Sequence, residues 1–489
     1  MQKLHALTAK ETVEKIRDEE ATAEECVSSV FERIRRLEGR VNAFVTLVEK
    51  EEALKKAREI DEKVSQGKPI GRLAGVAIAV KDSICTKGIR TTCSSRMLEN
   101  FVPPYDADVI ERVKAEDGII IGKTNMDEFA MGSSTETSYF GPSHNPWNLS
   151  RVPGGSSGGS AAAIATDEAI LAFGADTGGS VRCPASFCSV VGVKPTYGLV
   201  SRYGLIAYAN SLEQIGPMSR DVYDSALFLS VIAGHDPRDT TSVKASAKDY
   251  TTFLKDSVEG FKIGVPKEFF GEGTSEAVEK QVWRGIHRLA ELGASCEETS
   301  LPSLEYALAA YYIVAMSEAS SNLARYDGLR YGYRIDRDNG DWSTVYSRNR
   351  RIGFGAEVRR RIILGTYALS AGYYDKYYLK ALKVRTLIRR DFENAFKKFK
   401  ILIGPTMPVP PFKIGEKIKD PLTLYMCDVD TVSANLAGLP AMSVPCGFTK
   451  GLPVGMQIIA PLLREDLMLQ AAYTFEQNTT YKNRKPSLK

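Results

Sequence analysis

Residues 153–182 constrain this chain more than any other stretch, because they place two Gly/Ser clusters around an apolar core. The first cluster covers residues 154–160 and the second covers residues 177–180. Between them, an alanine-rich run at 161–165 predicts a close-packed helix, and an apolar run at 169–173 predicts a buried strand. Glycine pairs let the backbone turn sharply and leave peptide N–H groups uncovered. The neighbouring serines are therefore candidate nucleophiles beside an oxyanion hole.

Three other interpretations of this stretch are weaker. Gly/Ser sequences are most often flexible linkers, but the apolar flanks argue against a linker here. A phosphate-binding loop needs a Lys after its glycines, and no Lys follows these. A nucleophile elbow would fit Gly154-x-Ser156-x-Gly158, but it needs a preceding strand and a downstream His. The chain has 4 histidines, with none in its last 200 residues, so a Ser-His-Asp triad is disfavoured.

Without a histidine, a lysine is the best remaining base for a serine. Lys81 follows an apolar run of strand length, residues 75–80, and ligand sites in α/β sheets gather at the carboxyl ends of strands. A free lysine has a pKa of about 10.4, but burial favours its neutral form. A lysine after a strand is more often a solvated charge, so this position needs a motif to support it. Lys123, which follows the apolar run 119–122, is a second possible base.

Three segments together resemble the amidase signature family: residues 75–81, 154–160 and 176–182. The resemblance extends over residues 4–468. That family uses a Ser–cis-Ser–Lys triad whose two serines lie 24 positions apart, as Ser156 and Ser180 do here. The resemblance implies that Ser180 is the nucleophile, Ser156 the bridging serine and Lys81 the ultimate base. It also implies an oxyanion hole formed by the peptide N–H groups of Thr177, Gly178, Gly179 and Ser180.

Further motifs resemble one branch of the family, which hydrolyses glutamine within a tRNA-dependent amidotransferase. These motifs are residues 128–134, 194–198, 201–204, 211–217, 317–325 and 434–440. The resemblance implies that this chain supplies ammonia for converting Glu-tRNA(Gln) to Gln-tRNA(Gln). In that branch the glutamyl-tRNA is activated with ATP and Mg²⁺ by a B subunit, while a small C subunit completes a heterotrimer. We therefore expect no cofactor in this chain, ATP and Mg²⁺ in the partner, and tRNA contact mainly through the B subunit.

The same resemblance implies a glutamine pocket. A Tyr, an Arg and an Asp hold the substrate in that branch, and the matching positions are Tyr311, Arg360 and Asp428. The choice of arginine is open, because Arg359 and Arg361 flank Arg360. The loop residues that resemble the family's substrate-contacting segment are Met131, Gly132 and Ser133.

Two other functions are alternatives to the glutaminase. A stand-alone amidase acting on another small amide would share the triad, and only the pocket residues would distinguish it. A non-catalytic scaffold or tRNA-binding subunit is the alternative outside enzymes. Intact Lys81, Ser156 and Ser180 argue against the scaffold.

Composition limits the location and the chemistry of the chain. A hydrophobic content of 43%, a charged content of 25% and a net charge of +4 are those of a soluble globular protein. No apolar run reaches the roughly 18 residues that a membrane helix needs, and the charged N-terminus is no secretory signal. Eight cysteines without a Cys-x-x-Cys motif predict reduced thiols, and no metal-ligand spacing is found. We expect a cytoplasmic protein without a metal site.

Alternation of short apolar runs with helical patterns predicts an α/β fold: a mixed β-sheet core covered by helices on both faces. The predicted segments are an N-terminal helical segment (1–70), the first part of the core (71–260), an insertion with pocket residues (261–399) and the second part of the core (400–489). Thr8 and Thr22 each begin a capping-box pattern, which predicts two helix starts. Residues 43–64 predict one long charged helix.

Overall fold

The computed structural model describes residues 3–245, 248–271, 273–335 and 340–488. Within them, one 11-stranded sheet runs in the order β1-β3-β2-β4-β6-β5-β10-β11-β9-β7-β8. Its strands are β1 (Phe44–Leu47), β2 (Ala77–Lys81), β3 (Ile119–Thr124), β4 (Leu171–Asp176), β5 (Val191–Lys194), β6 (Gln214–Ser219), β7 (Lys262–Pro266), β8 (Ser295–Thr299), β9 (Ile401–Pro405), β10 (Ala441–Thr449) and β11 (Leu452–Ile459).

The sheet is mixed, as the sequence predicted. β2 pairs in parallel with β3 and β4, and β7 pairs in parallel with β8 and β9. The other neighbouring pairs are antiparallel. Parallel strands bury both faces, which explains why β2, β3 and β4 are buried along their whole length.

Helices cover both faces of this sheet, so the predicted fold class is confirmed. They are α1 (Ala9–Arg17), α2 (Ala23–Val41), α3 (Lys50–Ser65), α4 (Asp108–Ala115), α5 (Gly158–Ala165), α6 (Arg182–Cys188), α7 (Val222–Ile232), α8 (Glu276–Glu291), α9 (Ala307–Leu323), α10 (Trp342–Gly353), α11 (Ala356–Leu369), α12 (Lys380–Ala395), α13 (Pro421–Tyr425), α14 (Val432–Ala437) and α15 (Glu465–Gln477). Within the described ranges, no helix combines enough length and apolar character to cross a membrane.

The N-terminal helices begin where the capping boxes predicted. Thr8 and Thr22 each accept the amide hydrogen of a glutamate three residues later, and that glutamate side chain accepts the threonine N–H. The prediction of one helix over 43–64 is wrong. Its first residues, Phe44 to Leu47, form β1 instead, because aromatic and β-branched side chains favour a strand and β3 offers an edge to pair with. The helix of this segment, α3, starts only at Lys50.

The parallel pairing of β2 with β4 brings the chemistry-bearing segments together. Val80 lies opposite Phe173, so the two strands end at the same edge of the sheet, at Lys81 and Asp176. The first Gly/Ser cluster leads directly into α5. At Gly159 a Cβ atom would lie 2.4 Å from Ala43 O and 2.5 Å from Asn125 O, so only glycine lets the start of α5 pack this closely.

All four predicted segments contribute to this one sheet. The N-terminal segment supplies β1 at one end, and the insertion supplies β7 and β8 at the other end. The rest of the insertion is mainly helical, from α8 to α12. The boundaries at residues 70, 260 and 399 stay a prediction.

Candidate active site

Lys81 is buried at the end of β2, within hydrogen-bond distance of the first Gly/Ser cluster. Its Nζ lies 2.7 Å from Ser156 Oγ, 2.8 Å from Ser157 Oγ and 3.0 Å from Ala175 O. The peptide bond between Gly155 and Ser156 is cis. Burial lowers the pKa of Lys81 to about 7, although the negative charges of Asp127 and Asp176 oppose this shift. The structure thus places the predicted base against the predicted bridging serine.

The three contacts of Lys81 define where its lone pair can point. Ala175 O is an acceptor only, so one lysine N–H must donate to it. Ser157 Oγ also accepts the Ala175 N–H, at 3.3 Å, and forms a second acceptor for the lysine. The protonated amine donates to all three oxygens, whereas the neutral amine has two N–H groups for Ala175 O and Ser157 Oγ and keeps its lone pair for the hydroxyl proton of Ser156. This geometry suits proton abstraction from Ser156.

Ser180 lies on the loop that follows β4, and only 7% of its surface is exposed. The loop meets the first Gly/Ser cluster through a hydrogen bond from Ser157 N to Ser180 O, at 3.1 Å. Among the described residues, no hydrogen bond joins the hydroxyls of Ser156 and Ser180. The structure therefore brings the two segments together, while the nucleophile role of Ser180 stays a prediction.

The predicted oxyanion loop packs tightly against its surroundings. A Cβ at Gly178 would lie 2.4 Å from Tyr311 Cζ, and one at Gly179 would lie 2.3 Å from Thr431 Oγ1. Glycines are needed here because other side chains would collide. The N–H of Gly179 donates to Asp176 Oδ1 at 2.8 Å. That bond competes with the predicted use of Gly179 as an oxyanion donor, whereas no such competing bond is found in the described structure for the N–H groups of Thr177 and Gly178.

A buried ion pair holds this loop. Arg182 makes five hydrogen bonds with its side chain: two to Asp176 and one each to Thr431 O, Gln457 Oε1 and Asn435 Oδ1. These use all five N–H donors of a guanidinium. Burial alone would raise the pKa of Asp176, but the Arg182 guanidinium and the Asn435 amide hold it well below its usual range. Asp176 is thus a permanent anion that accepts N–H groups of the loop that carries Ser180.

Asp428 lies in a second polar cluster. Its carboxylate accepts the Ser133 hydroxyl at 2.7 Å and the Tyr312 hydroxyl at 2.6 Å. Burial raises the pKa of Asp428 to about 6, although these two hydroxyls and the Arg361 charge oppose the shift. Tyr311, predicted to contact glutamine, packs at 76° against the Tyr312 ring, with ring centroids 5.0 Å apart. The structure therefore brings Ser133, Tyr311 and Asp428 together.

Arg360 and Arg361, two successive residues of α11, differ in where their side chains lie. Arg360 is 42% exposed and pairs with Glu357. Arg361 is 3% exposed and donates to Glu357 Oε1 and to Tyr208 Oη, both at 2.7 Å. Its guanidinium also lies over the rings of Tyr208, Tyr312 and Tyr425, between 5.2 and 5.8 Å from their centroids. The structure thus places Arg361, rather than Arg360, beside the tyrosines next to Asp428, and the assignment of Arg360 stays a prediction.

The loop with Met131 and Gly132 wraps around Asp127. A Cβ at Gly132 would lie 2.4 Å from the Asp127 carboxylate, so glycine is required at this position. The same carboxylate accepts the N–H groups of Ser134 and Thr135 at 3.2 and 2.9 Å. Met131 is fully buried. Anchored on both sides in this way, the loop presents Ser133 to Asp428.

Lys123 does not share the site of Lys81. Its Nζ donates to Ile84 O, to Thr91 Oγ1 at 2.8 Å and to Thr86 Oγ1 at 3.2 Å, and so it ties down the loop after β2. Burial lowers the pKa of Lys123 to about 8, and nearby Asp82 opposes the shift. The described contacts give this second possible base no serine partner.

Several residues of this site carry little or no signal in the sequence. Ser157 lies next to a predicted residue, and Tyr312 follows Tyr311, so adjacency is their only signal. Glu357 and Tyr208 carry none, because they reach Arg361 only through the tertiary fold. The site residues that sequence reasoning missed are Ser157, Asp176, Tyr208, Tyr312, Glu357 and Tyr425.

Comparison with known proteins yields one family and close relatives. The sequence pattern of the family described as Amidase matches residues 25–469. The A subunit of glutamyl-tRNA(Gln) amidotransferase from Moorella thermoacetica is 58% identical over 485 residues, which cover 99% of each chain. The crystal structure of the A subunit of glutamyl-tRNA(Gln) amidotransferase from Thermotoga maritima matches with a TM-score of 0.82 and 42% identity, covering 99% of this chain and 98% of that one. A bacterial aryl acylamidase of the amidase signature enzymes matches with a TM-score of 0.86 and 26% identity, covering 99% of each chain.

The buried ion pair generates a prediction about stability. Replacing Arg182 with Met leaves Asp176 charged, buried and without its partner, so we expect a loss of about 3–5 kcal/mol in the free energy of unfolding. The matched control is Arg389→Met, which removes an exposed pair with Glu393 and costs below about 1 kcal/mol. Urea unfolding of both variants measures the difference. Equal losses would mean that the pair contributes no more than a surface contact.

Proposed function

The chain belongs to the amidase family, and we propose that it is the glutamine-hydrolysing A subunit of a glutamyl-tRNA(Gln) amidotransferase. The relative at 58% identity over 99% of each chain supports this activity. The aryl acylamidase has the same fold at 26% identity, so the fold by itself does not select the substrate. The substrate must be argued from the site.

One observation carries the proposal: the buried anion Asp428 and the buried cation Arg361 both contact Tyr312. Asp428 also accepts the Ser133 hydroxyl, and Ser133 packs against Gly155, the residue before Ser156. Free glutamine is a zwitterion, and each of its charges loses water on binding. Asp428 is a candidate partner for its α-ammonium group. Arg361 is the candidate for its α-carboxylate, because a guanidinium can bind a carboxylate through two parallel hydrogen bonds. A neutral amide needs neither charge, which is why the stand-alone amidase is the weaker alternative.

The first chemical step moves a proton through two serines. Neutral Lys81 takes the hydroxyl proton of Ser156, and Ser156 takes the hydroxyl proton of Ser180. Ser180 Oγ then forms a bond to the carboxamide carbon of glutamine, and the C=O electron pair moves to the oxygen. Peptide N–H groups of Thr177 and Gly178 stabilise this oxyanion. Lys81 needs no histidine, because burial has already lowered its pKa to about 7.

The second part of the reaction releases two products. The proton held by Lys81 returns through Ser156 to the amide nitrogen, the C–N bond breaks, and ammonia leaves. Ser180 is then esterified by the glutamyl group. Water attacks the ester carbon, gives its proton to the same relay and releases glutamate, which restores the Ser180 hydroxyl.

The proposed partners follow from the subunit role. A B subunit would use ATP and Mg²⁺ to activate glutamyl-tRNA and would receive the ammonia, and a small C subunit would join the two. No cofactor is assigned to this chain. Because the proposed complex acts on aminoacylated tRNA, we propose that the protein is located in the cytoplasm.

The nucleophile can be tested by trapping. Ser180→Ala should abolish glutaminase activity and leave the fold intact, because the hydroxyl is small and its removal breaks no described side-chain contact. In the wild-type protein, rapid acid quenching during turnover should leave a glutamyl ester on Ser180, detected by mass spectrometry of peptides. A glutamyl group on Ser156 instead would support the nucleophile-elbow interpretation of residues 154–158 and contradict this mechanism.

The base can be tested by pH. Glutaminase activity should rise as pH increases through about 7, because Lys81 must lose its proton before it can accept one. Lys81→Arg keeps a proton at all relevant pH values, so its activity should fall by several orders of magnitude. Lys123→Arg is the matched control, since Lys123 is also buried but does not contact the serines. Substantial activity in Lys81→Arg would rule out proton abstraction by this side chain.

The glutamine pocket can be tested with two nitrogen donors. Asp428→Asn removes the charge that faces the α-ammonium group, and loss of a buried charge partner costs about 2–5 kcal/mol. That corresponds to a roughly 30- to several thousand-fold loss with glutamine. Ammonium-dependent amidation in the complex should barely change, because free ammonia bypasses this site. An equal loss with both donors would make Asp428 structural.

The arginine can be assigned by comparing two neighbours. Arg361→Lys should raise the KM for glutamine strongly, since a single ammonium cannot replace the planar fork that binds a carboxylate. Arg360→Lys should leave the KM within about twofold, because that side chain is 42% exposed to solvent. Steady-state kinetics of both variants with glutamine decides between them. The reverse order of effects would restore Arg360 as the carboxylate ligand.

A further inference from the structure

A groove of about 710 Å³ opens between α3 and the loop at residues 87–89, next to the β1 end of the sheet. None of its lining residues belongs to the candidate active site. The aliphatic side chains that line it are Val48, Ala53, Ile60, Ile89, Ile119 and Ile120. A second set of lining residues is basic: Lys55, Lys56, Lys63, Lys87 and Lys114. The groove therefore combines an apolar floor with a lysine rim.

The rim carries more lysines than carboxylates, because its five lysines stand beside only Glu52, Glu59 and Asp117. Ion pairs join Lys56 to Glu59 at 2.8 Å, Lys63 to Asp117 at 2.6 Å and Lys114 to Asp106 at 2.7 Å. Lys55 and Lys87 have no carboxylate within ion-pair distance among the residues that the structure describes, and both are exposed. These two lysines are the charges that a bound partner could neutralise.

The groove adjoins an edge of the sheet. β1 is the terminal strand and pairs only with β3 in the described sheet. Arg90, which follows the groove residue Ile89, covers part of this strand by donating to Val45 O at 2.9 Å and to Thr46 Oγ1 at 3.1 Å. Leu47 remains 40% exposed. An apolar groove beside a sheet edge is the kind of surface that stable proteins cover.

We propose that this groove docks a segment of a partner subunit whose apolar stripe is flanked by carboxylates. The inference rests on the proposed function, which requires partner subunits. The apolar stripe would fill the floor between Ala53, Ile60 and Ile89, and the carboxylates would pair with Lys55 and Lys87. A protein fits better than a nucleic acid, because the groove has no aromatic side chains to stack bases and three of its lysines already pair with carboxylates.

The test compares two pairs of charge reversals in the full chain. Lys55→Glu/Lys87→Glu changes the rim, while Lys267→Glu/Lys280→Glu makes the same change in net charge at exposed positions beside β7 and on α8, near the other end of the sheet. The Kd for purified B and C subunits is measured at several salt concentrations. We expect the Kd of the rim variant to be about tenfold higher than that of the wild type, or more, and to depend less on salt concentration. The Kd of the control variant should change by less than about twofold. Ile89→Gln tests the floor and should weaken binding without removing the salt dependence.

The possible outcomes separate this proposal from the proposed function. A rim variant that binds the partner subunits as tightly as the wild type overturns the docking site, while the amidotransferase role stands. Equal weakening in the control pair also overturns it, because the effect would then reflect net charge alone. Weaker tRNA binding with unchanged affinity for the B and C subunits would assign the groove to nucleic acid and overturn the protein partner. A wild-type chain that forms no complex with B and C subunits would remove the proposed function as well as this inference.

Discussion

The buried amine of Lys81 is the constraint on which the rest of the site depends. Removing a charge from water is costly, and a lysine in this position lowers its pKa instead of keeping its proton. The fold supplies that burial by placing β2 between two parallel strands, so that helices must cover both of its faces. The same pairing brings Ala175 and the serines to the end of β2, where they replace the water that the amine has lost.

At the end of the neighbouring strand, a second buried ionisable group keeps its charge, unlike Lys81. Asp176 ends the neighbouring strand and stays ionised, because Arg182 and Asn435 surround it with donors. A neutral base and a permanent anion thus stand side by side, at the carboxyl ends of β2 and β4. The neutral group can exchange protons, whereas the anion can only hold N–H groups in place. The proposed proton transfer and the loop geometry therefore depend on different side chains.

The sequence predicted the parts of this site that depend on local motifs. Lys81 and Ser156, which lie in two separate sequence motifs, meet in the structure, and the fold class is confirmed. The helix predicted to begin at residue 43 is not formed there, because residues 44–47 pair with β3 as strand β1 instead. The arginine of the pocket was also beyond local reasoning, because successive helix residues point about 100° apart. Which one faces inward depends on where α11 begins, and Glu128 anchors that start by accepting the Gly355 N–H at 2.8 Å.

The five hydrogen bonds of Arg182 also bear on the order in which this part of the structure is assembled during synthesis. Its partners Thr431, Asn435 and Gln457 lie about 250 residues or more further along the chain than Arg182 itself. The ribosome therefore releases the loop that carries Ser180 long before it releases the groups that hold this loop in place. A nascent chain that ends before residue 457 carries the whole Lys–Ser–Ser motif and still lacks an acceptor for the arginine that shapes it. Arg182 therefore completes its set of hydrogen bonds only when β11, the last strand in chain order, has joined the sheet.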